Sequence, residues 1–288
     1  MEARRVPALA LLIFLVIGAM VGGARHSGRY FLLFCAIGAL VAAAVHATIR
    51  YPERRQAIRL VLLCLIGGGL FFGLSVHVGV NFQFPQIVFD ASAGVVAGAL
   101  IQFVVARLVL PFVFGNGFCS RACWDGAVFE LAEKRMGKPR RERRRSELLA
   151  WSYLAGVVLL AAAATRWNNP ATDEVARRWW ILGENALIIV LGLGLPAVWG
   201  RRAYCRMLCP FITVSGLLSR FSLFKIAPTG NPCVECELCN RACPMMVDVM
   251  TAAMSGRRVQ DRSCILCERC VDACPKSCLE PRSGSPWN

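Results

Sequence analysis

The chain has 288 residues, 56% of them hydrophobic, with 33 Lys and Arg against 18 Asp and Glu and a formal net charge of +15. Soluble domains run at about 45–50% apolar, and here the apolar residues are bunched into long runs, which excludes an ordinary soluble fold. The basic residues gather at the joints between those runs, so membrane topology accounts for the charge and a nucleic-acid partner is excluded.

A membrane-spanning helix needs roughly 20 mainly apolar residues. Six segments meet or approach that length: Val6–Gly23, Tyr30–Ile49, Ile58–Val78, Ala91–Leu110, Leu149–Thr165 and Leu182–Gly200. The first follows Arg4 and Arg5 but lacks a small-residue cleavage site, and it reads as an uncleaved helix. The fourth carries Asp90, Gln102 and Arg107 in or beside it.

With the N-terminus in the cytoplasm, the inner loops hold Arg50, Arg54, Arg55 and Arg59, then the block Lys134 to Arg145. The outer loops hold Arg25 and Arg29, no Lys or Arg over Gly79–Asp90, then Arg166, Arg177 and Arg178. This bias predicts a multi-pass protein of a bacterial inner membrane, with its N-terminus and C-terminal domain in the cytoplasm. Membrane lipid is then a partner, each basic residue near anionic headgroups contributing about 1 kcal/mol.

Two short cysteine motifs follow the fourth and sixth spans: Cys119-Ser-Arg-Ala-Cys123 and Cys205-Arg-Met-Leu-Cys209-Pro210. On a helix, CxxxC places both thiols on one face. Four thiols at one depth make a ligand set for a further metal ion or Fe–S centre, or else remain four reduced structural cysteines. The stretch Phe211–Phe224 is mixed apolar and basic, and it reads as a short helix along the interface.

The C-terminal part carries the strongest pattern. Cys233-Val-Glu-Cys236-Glu-Leu-Cys239-Asn-Arg-Ala-Cys243-Pro244 is followed by Cys264-Ile-Leu-Cys267-Glu-Arg-Cys270-Val-Asp-Ala-Cys274-Pro275. Each run reads C-x2-C-x2-C-x3-C-P, in which three thiolates grip one cubane and the fourth ligates the other. The expected sets are Cys233, Cys236, Cys239 and Cys274 for one [4Fe–4S] cluster, and Cys264, Cys267, Cys270 and Cys243 for the other. Zinc would call for two CxxC pairs, and cytoplasmic thiols rarely pair as disulfides. Cys278 lies four residues past Cys274 as a spare thiol near a cluster.

The predicted fold is an all-α polytopic membrane domain of about six transmembrane helices, plus a small C-terminal α+β 2[4Fe–4S] ferredoxin domain. The expected division is 1–210 for the membrane domain with both CxxxC motifs, 211–227 for an interfacial linker and 228–288 for the ferredoxin. Paired CxxxC motifs at membrane-helix ends, followed by two ferredoxin runs, resemble the NapH/NosR-type membrane polyferredoxins over about residues 55–288. Trp124 stands after the first motif where that family places Pro, and the two N-terminal spans exceed its four-helix core.

The resemblance implies a quinol dehydrogenase component that passes electrons from quinol to other respiratory electron-transfer subunits. Candidate proton acceptors at the outer edge are His77, Asp90 and Glu184, with Asn81, Gln83 and Gln86 nearby. The alternative is a membrane ferredoxin for copper reduction or cofactor assembly, similar to the CcoG group. The chain lacks a Gly-rich dinucleotide fingerprint, so its redox partners are other chains.

Overall fold

The computed structural model describes residues 5–132, 143–167 and 169–284; most of the basic block at Lys134 to Arg145 falls outside them. Helices α1 (Arg5–Ala24) and α2 (Gly28–Arg50) form an antiparallel hairpin. They are followed by α3 (Pro52–Val78), α4 (Phe84–Ser92) and α5 (Gly98–Phe114). Two short helices, α6 (Gly117–Arg121) and α7 (Trp124–Ala132), precede the long α8 (Arg143–Ala164) and α9 (Glu174–Trp199).

Five of these helices, α1, α2, α3, α8 and α9, are long and apolar enough to cross a membrane. Their outward faces carry Leu12, Leu32, Phe72, Val76, Leu159, Leu160 and Val190, all exposed. Such a surface is a liability in water and the natural one in hydrocarbon. Asp173 caps α9, accepting hydrogen bonds from the backbone N–H groups of Val175 and Ala176 at 2.8 and 3.2 Å.

The fourth span departs from expectation. No continuous helix runs over Ala91–Leu110. The chain instead turns at Gly94, whose φ is +64°, and α5 starts only at Gly98, giving an apolar helix shorter than a full span. The expected outer loop over 79–90 contains α4, with Phe84, Pro85, Gln86, Ile87, Phe89 and Asp90 buried. Its apolar side packs against α8, so burial outweighs the polar residues that made this stretch read as a loop. Five full spans and one short one remain consistent with about six.

After α9 the chain forms α10 (Ala203–Met207) and α11 (Pro210–Leu218). The expected interfacial helix is buried over its first half, at Phe211, Ile212, Thr213, Ser215 and Gly216, while Leu217, Phe221 and Leu223 further along are exposed. The ferredoxin fold begins at β1 (Phe224–Pro228), four residues ahead of the expected boundary at 228, and β1 pairs antiparallel with β2 (Leu279–Ser283). Between the strands lie α12 (Leu238–Ala242), α13 (Val249–Met254) and α14 (Arg269–Asp272). Ile226, Met245, Val247, Val249, Val259, Ile265 and Leu279 make the small core.

The ferredoxin module docks on one face of the helix bundle. Arg55, at the start of α3, pairs with Glu268 and Asp272 at 3.2 Å each. Gln56 donates to the Cys267 carbonyl at 3.0 Å. Asn116, after α5, donates to the Arg262 carbonyl at 2.7 Å, and the Arg262 side chain meets Glu147 of α8 at 3.1 Å. Arg201, after α9, donates to the Arg241 carbonyl at 2.7 Å. The starts of α3 and α8 and the ends of α5 and α9 therefore face the module together.

Candidate redox centres

The two cysteine runs share one backbone shape. Non-glycine residues with positive φ occur at Glu235 and Glu237 around Cys236, and at Leu266 and Glu268 around Cys267. They recur three residues past each Cys-Pro start, at Met246 and Ser277. Left-handed residues outside glycine are uncommon and are held only where the surroundings demand them. Alternating them with right-handed residues curls the chain so that backbone N–H groups point inward, a shape suited to an anionic guest. Six such positions at matched places in two loops are the local reason these runs fit iron–sulfur clusters.

The thiols assemble in the crossed way. A cavity is lined by Cys233, Cys236, Cys239 and Cys274, together with Cys278. Cys278 is the spare thiol of the sequence, with its sulfur 3.1 Å from that of Cys274. Cys243 has left its own run and interacts with Cys264, Cys267 and Cys270. Burial, reinforced by neighbouring Cys267, pushes the Cys243 thiol up to about 11, and burial takes Cys264 to about 12. Such thiols stay neutral until iron takes the place of the proton. Among the described residues no three His, Cys, Asp or Glu side chains are gathered for one metal ion; a cubane spreads its ligands over separate irons. The Cys243 group packs toward the membrane domain, whereas Cys236 of the other group is exposed.

The CxxxC cysteines also come together, though not as one helical face. Cys119 sits in α6 while Cys123 lies just before α7, and Cys205 sits in α10 while Cys209 lies just before α11. Each motif straddles a break, and the two breaks meet around Arg107 of α5. Arg107 is 1% exposed. Its Nη1 donates to the Cys119 sulfur at 2.9 Å and its Nη2 reaches the Cys123 sulfur at 3.9 Å. Cys209 interacts with Cys205, Arg107, Cys119 and Cys123. Burial raises Cys123 to about 12 and Cys205 to about 11. Both helices that flank the cage widen into π-helix there, Cys64–Phe71 in α3 and Val104–Val109 in α5, a distortion common at functional sites. In α3, Gly67 lets the Cys123 carbonyl approach, since a Cβ there would lie 2.8 Å from it.

One apolar cluster joins the cage to the ferredoxin thiols. Cys119 and Ile212 pack in it with Cys239, Cys243, Cys267 and Cys270, and Cys205 and Cys209 border it with Cys233, Cys264 and Cys274. Beneath it, Glu130 of α7 is 7% exposed and binds three guanidiniums, those of Arg59, Arg202 and Arg269. Burial would raise the Glu130 carboxyl, but the hydrogen bond from Arg59 and the charges of Arg202, Arg59 and Arg269 win and hold it at about 2.

On the other side of the cage, α8 and α9 border a groove of about 800 Å³ that is open on its outward side, where Leu160, Trp179 and Leu187 are exposed. Its walls are apolar and include Val157, Leu160, Trp179 and Leu187, with Leu208 next to Cys209. Tyr153 and Glu184 supply polar groups. Asn81 donates to Glu184 at 3.1 Å, while Gln83 donates to Asp125 at 3.2 Å and to Asn185 at 2.9 Å. Of the three acceptors expected at the outer edge, only Glu184 lines this groove. His77, in the last turn of α3, is exposed, and Asp90 is buried against Gln86, which donates to it at 2.7 Å. The groove depends on the gap left between α8 and α9 and on α4 folding inward against α8, neither of which residue spacing encodes.

A helical membrane bundle carrying a crossed pair of four-cysteine groups defines a membrane-embedded ferredoxin. Residues 232–279 match the family model described as a 4Fe-4S dicluster domain, which contains all eight ferredoxin cysteines. Residues 96–144 and 183–228 match a second family model, a 4Fe-4S binding domain, whose two segments contain the two CxxxC motifs. The methylamine utilization ferredoxin-type protein MauN of Paracoccus denitrificans is 32% identical over 52% of this chain and 56% of its own length. An uncharacterised protein of Methanocaldococcus jannaschii is 28% identical over 52% of this chain and 60% of its own. The regulatory protein NosR of Stutzerimonas stutzeri is 27% identical over 46% of this chain and 21% of its own. The aligned part of this chain thus spans about half the length of the first two relatives and less of NosR. No solved structure matches. The resemblance to NapH/NosR-type membrane polyferredoxins stands on these matches, and the chain carries 4Fe-4S domains fitted to [4Fe–4S] clusters.

Proposed function

We propose that this chain relays electrons between the quinone pool of a bacterial inner membrane and a partner redox subunit on the cytoplasmic side. The observation that carries this reading is the groove between α8 and α9, whose wall residue Leu208 adjoins Cys209 of the thiol cage. Its size falls within the range of small-molecule sites, and its apolar walls with a few polar groups suit a quinone headgroup. Oxidation of a quinol releases two electrons and two protons. Glu184, oriented by Asn81, accepts one of these protons in the groove wall, and the other passes to water.

Cys119, Cys123, Cys205 and Cys209 hold a third iron–sulfur centre, a reading supported by the 4Fe-4S binding family model over both motifs. Cys264, Cys267, Cys270 and Cys243 hold the proximal ferredoxin cluster, and Cys233, Cys236, Cys239 and Cys274 the distal one. When bound, these groups accept and pass on single electrons. The protein orders them from the groove to the exposed Cys236, where a soluble-side partner docks.

Gly156 of α8 lines the groove, and a Cβ added there meets nothing within 4 Å. Gly156→Phe therefore fills the groove with little strain on the bundle. In lipid, the variant is expected to lose at least about tenfold of quinol-driven cluster reduction while dithionite still reduces its clusters fully. Unchanged quinol-driven reduction contradicts this site. Reduction of added copper by protein that exchanges no electrons with quinol would favour the metal-reductase alternative.

A further inference from the structure

We infer that Arg107 is the counter-charge of the centre held by Cys119, Cys123, Cys205 and Cys209, and that it sets that centre's reduction potential. The inference rests on the cage holding an iron–sulfur centre and adds what the surrounding protein does to it. Arg107 is among the largest fully buried side chains of the molecule. Among the described residues it meets no carboxylate at ion-pair distance, and its hydrogen bonds go to two cysteine sulfurs. Asp125 acts on it only through longer-range attraction and accepts its own hydrogen bonds from Gln83. The guanidinium carbon lies 4.5 Å from the centre of the Phe118 ring and 4.7 Å from that of Phe211. Its Nε has no partner.

A buried guanidinium with no carboxylate beside it lacks a full counter-charge, and an uncompensated buried charge is costly. Four thiolates on an iron–sulfur core carry net negative charge, which supplies the missing anion where the Nη groups already point. The two rings fix the planar group in place, which a lysine ammonium on a flexible stem does not reproduce. A fixed positive charge stabilises the reduced, more negative state of a neighbouring centre more than the oxidised one, and so raises its potential; surrounding charge is one of the levers on Fe–S potentials.

The test is a potentiometric EPR titration of the full-length protein in lipid, with iron analysis, for wild type, Arg107→Lys and Arg107→Met. The expected result is iron for three centres in the wild type. In Arg107→Met the midpoint of the cage centre shifts downward while both ferredoxin midpoints stay in place, and Arg107→Lys shifts it less. Loss of the cage centre in Arg107→Met but not in Arg107→Lys also supports a charge role. A cage midpoint unchanged in Arg107→Met, or loss of the centre in both variants alike, overturns it. Iron for only two clusters in the wild type removes the third centre itself, a failure visible before any variant is made.

Discussion

Glu130 is one carboxylate shared by guanidiniums from three parts of the chain: Arg59 of α3, Arg202 just before α10 and Arg269 of α14. It thereby ties the helix bundle to the segment carrying Cys205 and to the segment carrying Cys270. Breaking a buried ion pair from one side typically costs about 3–5 kcal/mol, so Glu130→Gln is expected to lower stability by that order, read from denaturant unfolding of the ferredoxin module. A loss under about 1 kcal/mol would mean that the three arginines find other acceptors. The pH dependence has a definite sign. The folded-state value lies below the unfolded one, so the contribution is fully present above about 4.5 and is lost as pH falls toward about 2. In wild type this acid-dependent loss should appear in that window, and it should be missing from Glu130→Gln.

Residue identity alone carried much of the redox site. The ferredoxin module is legible because the spacing of its eight cysteines is itself the ligand chemistry, and the dicluster family model matches over 232–279. Arg107 was visible only as an anomaly, a charge in an apolar stretch, although ionisable residues inside spans are functional by default. Its partners lie 12 and 16 positions away and meet it only through two helix breaks.

At the level of elements, the paired loops and their crossed ligands make the sharpest prediction. Cys243 precedes α13 in sequence but lies with the thiols of the second run. Cys243→Ser should therefore abolish the cluster of Cys264, Cys267 and Cys270 and leave the one lined by Cys233, Cys236 and Cys239. The check is EPR of Cys243→Ser beside Cys274→Ser, which should lose the opposite signal. Loss of the first-run cluster in Cys243→Ser would mean that each run closes on itself. In α3, Gly67→Ala pushes a Cβ to within 2.8 Å of the Cys123 carbonyl. Overpacking of this kind costs about 1–3 kcal/mol, and the expected readout is reduced iron in the thiol cage with both ferredoxin clusters intact.

The five long spans were legible from hydropathy, because a lipid-facing helix must be apolar along its whole length. The fourth was not, because α4 and α5 face protein. Their buried polar groups Gln86, Asp90, Gln102 and Arg107 are hidden from lipid by neighbouring helices rather than by composition. Likewise, the CxxxC spacing suggested one helical face, whereas each motif spans a helix break that only the fold reveals.

On the scale of the whole molecule, the membrane bundle and the ferredoxin module pack as one continuous body. Ion pairs at Arg55, Glu130 and Arg262 dock the module, and one apolar cluster runs from the thiol cage to the ferredoxin cysteines. The proposed route from groove to exposed Cys236 passes through the cage, so the cage is the step on which that relay depends. The direct measurement is quinol-driven reduction of the ferredoxin clusters, followed by EPR on anaerobic protein in lipid, for wild type and for the double variant Cys119→Ser, Cys205→Ser. The expected result is reduction in the wild type and loss of quinol-driven reduction in the variant, with its ferredoxin signals still obtained by dithionite. Reduction by quinol at the wild-type rate in the variant would contradict a relay through the cage.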